Sequence, residues 1–404
     1  MSQVKIDLNN LDKSNWKTYR FDEIAKNISE RVDPNNTDLK IYIGLEHIDS
    51  ESLHIKRHGT PDDVNGTKLK FYKGDIIFGR RRAYQRKAGI ATWDGFCSAH
   101  ALVLRANPDV IEPELFPFFM HSDLFMNRAI DISVGSLSPT INWGTLKHQE
   151  FLLPPKEIHS TLASLLLGNE EVLKSELHLK KKLQTSLEAE IEYKIHGEHL
   201  TGSTINQVIA RISKRKETAK LAELGKFFKG KGISKSEVIE NGVPCVRYGE
   251  LYTKHHRIIR GYQSFINRES AKKAMLIMQH DILFAGSGET IQEIGKSAAV
   301  ITSEEAYAGS DILVFRPHDM DGTYAGYLMN SKLVRYQLNK LGTGATVMHV
   351  YASDLEKIVV PKIDKVQQIE IALKLEVISK NITYLTQKIE TLNRLNKSII
   401  NKVF

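Results

Sequence analysis

Apolar positions along the chain follow two different periods, and the two alternate in the same order twice. Short runs of strand character, such as Asp75 to Phe78 and Ala101 to Leu104, sit between Gly, Asn and Asp, the punctuation expected of strands joined by turns. A proline break follows, Pro154-Pro155 in one case and Pro361 in the other. After each break comes a long polar segment without proline whose apolar residues keep helical spacing. In the second of these, Ile378, Ile382, Leu385, Ile389, Leu392, Ile399 and Val403 fall on alternating steps of four and three. Asn396 takes the remaining seam position, and a lone seam Asn commonly fixes register at some cost in stability. In the first, Leu173, Leu177, Leu183, Leu187, Ile191 and Ile195 mark a less regular seam. The scarcity of Gly and Pro predicts long free-standing helices rather than helices packed on their own domains.

The repetition extends to local sequence. Gly74-Asp75-Ile76-Ile77-Phe78-Gly79 matches His280-Asp281-Ile282-Leu283-Phe284-Ala285, and Ser98 to Arg105 matches Gly309 to Arg316. Phe119 to Leu124 matches Leu328 to Leu333, Gly135-Ser136 falls opposite Gly344-Ala345, and Phe151 to Pro154 matches Ile358 to Pro361. The five matches are collinear, with offsets from 206 (Gly74 to His280) to 211 (Ser98 to Gly309). One match is chance; five in order indicate a duplicated chain. The predicted fold is α+β with a pseudo-two-fold internal repeat: two tandem α/β domains, each followed by a long helix, the two helices pairing as an antiparallel coiled coil. The expected boundaries are 1–155, 156–200, 201–361 and 362–404.

Composition narrows the class. The formal charge of +8 and pI near 9.1 point mildly to a polyanionic partner. Cys97 and Cys245 lie too far apart in sequence for a metal or disulfide framework. Met1 to Asn10 carries no apolar signal core, and no run approaches the ~18 apolar residues of a membrane helix. A soluble, cytoplasmic protein with no membrane partner is expected.

The ordered set of phrases resembles a known family. Two globular domains, each closed by a β run ending in Leu-Pro-Pro or Val-Pro and followed by a coiled-coil helix, resemble the specificity subunits of Type I restriction–modification enzymes. Trp16 to Ile24 resembles the family's opening phrase, Lys220 to Gly225 its counterpart, and Gly286 to Lys296 a Gly-Glu-Thr…Ile-Gly-Lys phrase of some recognition domains. Two departures stand out: the Gln expected shortly after Pro154-Pro155 is absent, and Pro361 is single. The resemblance implies two target-recognition domains reading a split double-stranded DNA site, with helices that hold them apart. It implies two modification subunits as partners, which bind S-adenosylmethionine and methylate adenine, and a motor–nuclease subunit using ATP and Mg. It implies no cofactor and no catalytic residue in this chain.

Candidate DNA contacts follow from charge and position. The run Arg80, Arg81, Arg82, Ala83, Tyr84, Gln85, Arg86, Lys87 is the densest basic stretch and should leave a strand as a loop, suited to phosphates and to a guanine edge. At the matching place in the second half, Ser287, Glu289 and Thr290 form a small, polar loop, with Lys296 beyond it. Lys229, Lys231, Lys254 and Arg257 lie in strips that mix cations with aromatics and are assigned phosphate contacts. His255-His256 lacks a third ligand and is expected to be a surface pair without metal.

Catalytic motifs fail on inspection. Gly288 to Ser297 has a six-residue spacer where a phosphate loop needs four, and Glu289 and Glu293 would repel phosphate. Leu152-Leu153-Pro154-Pro155 lacks the polar and aromatic residues of an adenine-methyltransferase motif. The rival readings are an autonomous DNA-modifying enzyme with an unrecognised site, a specificity chain of another defence system, and a protein-binding coiled-coil adaptor.

Overall fold

Both halves begin and end on the same device, a two-stranded ribbon that hands the chain directly to a long helix. The computed structural model describes residues 7–8, 11–197, 204–215, 217–288, 290, 293–341 and 348–404. In the first half Lys17–Arg20 pairs antiparallel with Glu150–Leu153, and the helix Lys156–Ile191 follows. In the second, Thr218–Lys220 pairs with Val359–Pro361, and Lys365–Val403 follows. The chain packs as two units, Met1–His178 with Thr386–Phe404, and Leu179–Leu385.

In the first unit the apolar run Ile76–Gly79 is buried throughout because it is central in a sheet ordered Ala25–Ile28, Ala101–Ala106, Ile76–Gly79, Ala88–Ile90, all antiparallel. A second sheet runs Arg31–Val32, Lys68–Phe71, Gly95–Cys97, Tyr42–Ile43, its last pair parallel. An aromatic cluster of Phe21, Phe78, Phe119, Phe125 and Phe151 fills the core, with Phe21 and Phe125 centroids 5.3 Å apart.

The second unit repeats this plan with one strand added to each sheet. The order is Gly225–Lys229, Ile312–Pro317, Ile282–Ala285, Ser297–Val300, Arg257–Ile259, the last pair parallel. In the first unit the fifth strand is reduced to one parallel bridge, His54 to Ile90. The other sheet runs Val238–Ile239, Ser264–Ile266, Val243–Val246, Ala306–Ala308, Met275–Ile277.

The duplication reaches individual atoms. Asp75, buried, accepts from Arg105 Nε (2.7 Å) and Nη2 (2.9 Å) and from the amide of Tyr72 (2.8 Å). Asp281, equally buried, accepts from Arg316 Nε (2.8 Å) and Nη2 (2.7 Å) and from the amide of Met278 (2.8 Å). Each guanidinium also lies over an aromatic ring, Tyr72 or Phe228. The missing Gln finds its explanation here. Gln368 accepts from the amide of Asp321 and donates to the carbonyl of Ile363. In the first unit His159 does the same work: Nδ1 accepts from the amide of Glu112 (3.4 Å) and Nε2 donates to Pro154 O (2.9 Å). Burial holds its pKa below the usual value.

The helices pair antiparallel. Every predicted seam residue of Lys365–Val403 is buried or half-buried, Asn396 included. In the first unit Leu162, Ala163 and Leu166 share the core with Ile399, Ile400, Val403 and Phe404. There Lys388 Nζ donates to Glu176 (2.6 Å) and Asn396 Nδ2 to Glu170 (2.6 Å). Counted from these ties, Asn169 lies in the same layer as Asn396, and both have a buried amide atom without a partner among the described residues, Nδ2 of Asn169 and Oδ1 of Asn396. In the second unit Leu187, Ile191 and Ile195 share the core with Ala372 and Leu375. Two expectations change. The helix ends are embedded in the cores of the units rather than free-standing. Leu177 is 46% exposed, off the seam; the regular four-three spacing passes instead through Glu176 and Lys180, both half-buried.

Candidate nucleic-acid interface

The basic loop leaves the buried strand Ile76–Gly79 and turns through a short helical turn, Ala83–Gln85. Arg82 and Arg86 flank that turn at φ 58 and 50, a left-handed conformation that is uncommon for such side chains and needs surrounding bonds to hold it. Those bonds are present. The amide of Arg80 donates to His100 O (3.2 Å), Ile141 to Arg80 O (2.9 Å) and Arg82 to Pro139 O (2.7 Å). Residues 134–140 form a tight hairpin closed by reciprocal Val134 and Thr140 backbone bonds of 3.0 and 2.9 Å. Thr140 bridges in turn to Arg81.

The eight-residue run thereby divides. Arg86 is committed internally, with Nη2 2.5 Å from Asp123 and Nε 3.2 Å from Glu51. Lys87 Nζ donates to the carbonyl of Leu45 (2.6 Å). Arg80 is half-buried, and its Nε is buried without a partner among the described residues. Arg81, Arg82 and Tyr84 are exposed. Three arginine side chains and an aromatic are thus offered to solvent or ligand by a rigid backbone.

In the second unit the same position carries a polar ribbon. Ser287 pairs with His349 and Gly288 with Met348. Tyr252 hydroxyl donates to Ser287 O (2.5 Å), and burial pushes its pKa to about 12. Lys296 Nζ donates to Tyr252 O (3.2 Å) and lies over its ring, so this lysine braces the ribbon from behind. Thr290 is exposed and its hydroxyl donates to Glu293 (3.2 Å). Glu289 lies outside the described residues. Lys229, at the end of its strand, Lys231 and Lys254 are exposed. Arg257 sits at φ 63 with its side chain 14% exposed; it pairs with Glu188 and stacks over Tyr327.

The expected surface pair of histidines is corrected. His256 is exposed, but His255 is buried, 4.0 Å from the buried carboxylate of Glu250, and burial lowers its pKa. Among the described residues no group of three His, Cys, Asp or Glu side chains could hold a metal. Cys97 and Cys245 are buried free thiols, both pushed to about 12 by burial. No helix among the described residues is long and apolar enough to cross a membrane. The hairpin 134–140 escaped the sequence reading; the only available signal was the phrase Gly135-Ser136-Leu137-Ser138-Pro139, an apolar residue set among turn formers.

Comparison with known proteins places this arrangement. Residues 213–394 match the family model of the Type I restriction modification DNA specificity domain. The chain is 29% identical over 144 residues to the Type I restriction enzyme EcoDI specificity subunit of Escherichia coli, covering 35% of this chain and about a third (32%) of that relative. It is 22% identical over 400 residues to the putative type I restriction enzyme MjaX specificity subunit of Methanocaldococcus jannaschii, covering 88% of this chain and 84% of that one. Two solved structures share its fold. One is the S subunit of a Type I restriction-modification system from M. genitalium, with TM-score 0.60, 13% identity and 98% of each chain covered. The other is a chain from a structure of complex assembly and conformational transition of the type I R-M system, with TM-score 0.58, 18% identity and 96% and 97% covered.

Proposed function

Because the chain belongs to the family of Type I restriction–modification specificity subunits, we propose that its two units each read one half of a split double-stranded DNA site. The chemistry is left to other subunits. The observation that carries this reading is the repeated scaffold. The same strand, Ile76–Gly79 or Ile282–Ala285, delivers a loop of different chemistry in each unit, arginine-rich in one and small and polar in the other. A fixed frame with an exchanged loop suits two half-sites of different sequence, because phosphate contacts position and side-chain contacts specify.

The contact set we assign is Arg80, Arg81, Arg82 and Tyr84 in the first unit and Lys229, Lys231, Lys254, Ser287, Glu289 and Thr290 in the second. Arg86, Lys87 and Lys296 support the loops from within, and Arg257 ties its strand to Glu188 of the long helix. The chain itself requires no cofactor in this scheme. S-adenosylmethionine belongs to two modification partners and ATP with Mg to a motor–nuclease partner, in the cytoplasm. Methylome sequencing of cells carrying the chain with its modification partners tests the proposal. The expected result is methylated adenine in one split motif, with free bases between its halves. An unsplit motif, or methyl transfer by the purified chain alone, overturns it.

A further inference from the structure

The tip of the hairpin 134–140 carries Leu137, 92% exposed, with Val134 70% exposed at its base. A solitary exposed leucine on a floppy segment would mean nothing. This one is mounted on a braced element. Gly135 turns the chain at φ 116, Thr140 Oγ1 donates to Ser138 O (3.1 Å), and the hairpin is bonded through Pro139, Thr140 and Ile141 to Arg80, Arg81 and Arg82. An apolar side chain is therefore held rigidly beside the three arginines of the proposed contact set. The second unit builds the same neighbourhood, where Ser287–Gly288 pairs with Met348–His349.

We infer that Leu137 is a base-reading residue of the first unit, placed against an apolar group on a base edge, the C5-methyl of a thymine, while Arg81 and Arg82 hold the flanking phosphates. The inference rests on the DNA-reading role proposed above. Its physical basis is complementarity. Cationic side chains fix the hairpin against the duplex, and the base-edge feature that an apolar side chain contacts in the major groove is the thymine methyl group. Phosphate contacts alone carry no sequence information directly.

The test uses the full chain with its modification partners and the site mapped by methylome sequencing. Leu137→Ala is expected to keep the melting temperature, since the side chain touches solvent. It should weaken cognate binding about tenfold and leave the salt dependence unchanged, because no phosphate contact is lost. Replacing thymines of the first unit's half-site one at a time by deoxyuridine should cost the wild type about fourfold at one position, the worth of one methyl group. Leu137→Ala should lose nothing further at that position. Unchanged affinity in Leu137→Ala, or equal losses from deoxyuridine in both proteins at every position, overturns the inference while leaving the DNA-reading role intact. Normal DNA binding with failed assembly would make the hairpin a protein contact instead. Absence of sequence-specific binding by the wild-type complex would overturn both readings.

Discussion

The division of the basic loop leads to a prediction with a number attached. Of its arginines, Arg81 and Arg82 are exposed and carry no ion pair among the described residues, whereas Arg86 is held by Asp123 and Glu51. Each phosphate contact releases counterions, so log affinity falls with log salt by about 0.9 per contact. The double substitution Arg81→Ala with Arg82→Ala should therefore flatten the slope by about 1.8. Between 50 and 200 mM salt, a fourfold change, the wild type should lose about twelvefold more affinity than the variant. Fluorescence anisotropy of a labelled duplex titrated with the complex at four or five salt concentrations measures this directly. Arg86→Ala is the control. It should leave the slope within error of wild type and instead lower the melting temperature, since two carboxylates lose their partner. A double variant with wild-type slope and intact fold would show that the loop faces solvent. An Arg86→Ala slope as flat as the double variant's would show that the internal ion pairs break on binding.

Three further outcomes are expected. Arg316→Met should destabilise the second unit by about 3 kcal/mol, because Asp281 is left buried and uncompensated; Asp281→Asn in addition should recover most of that in urea unfolding, and a double variant no better than the single one would contradict it. His121 is largely buried, with Nε2 donating to Ala88 O (3.0 Å), and burial lowers its pKa to about 4. The unfolded chain binds this proton near pH 6.5 and the folded one does not, so stability is complete above about 6.5 and declines by about 3 kcal/mol on going to pH 4; His121→Gln should remove that part of the pH dependence in thermal melts. Ile389→Lys should cost more than 2 kcal/mol by roughly the burial it forfeits, while Leu177→Lys should change stability by less than about 0.5 kcal/mol, a contrast that reversed seam assignments would invert.

Much of the architecture was legible because duplication leaves a record that needs no energetics: Asp75 and Asp281 sit at matching places in both text and fold, whereas the ribbon register matches Phe151 with Val360, two positions from its partner in the text. The second helical seam was legible because its apolar spacing is nearly unbroken from Ile378 to Val403. The first was misread at Leu177 because Glu176 and Lys180 occupy seam positions, and an ion pair from Lys388 makes a half-buried glutamate acceptable there. Charge density exposed the basic loop, but local sequence does not reveal that Arg86 meets Glu51 and Asp123, or that Arg257 meets Glu188, residues brought in from distant segments. The hairpin at 134–140 was invisible for a similar reason: its importance comes from bonding to a loop more than fifty positions earlier.

The amide layer of Asn169 and Asn396 has a consequence for newly made chains. Both long helices present similar greasy ridges, so two copies emerging side by side face a choice of mates, including each other's first helix or a shifted version of the right one. Only one alignment sets amide against amide beside Glu170. Every other breaks the hydrogen bond from Asn396 to Glu170 and sets those polar groups against leucine or isoleucine, at roughly 1–3 kcal/mol for each group so stranded. The layer thereby fixes which helix mates with which and in what alignment, whether the mate belongs to the same copy or to a sibling.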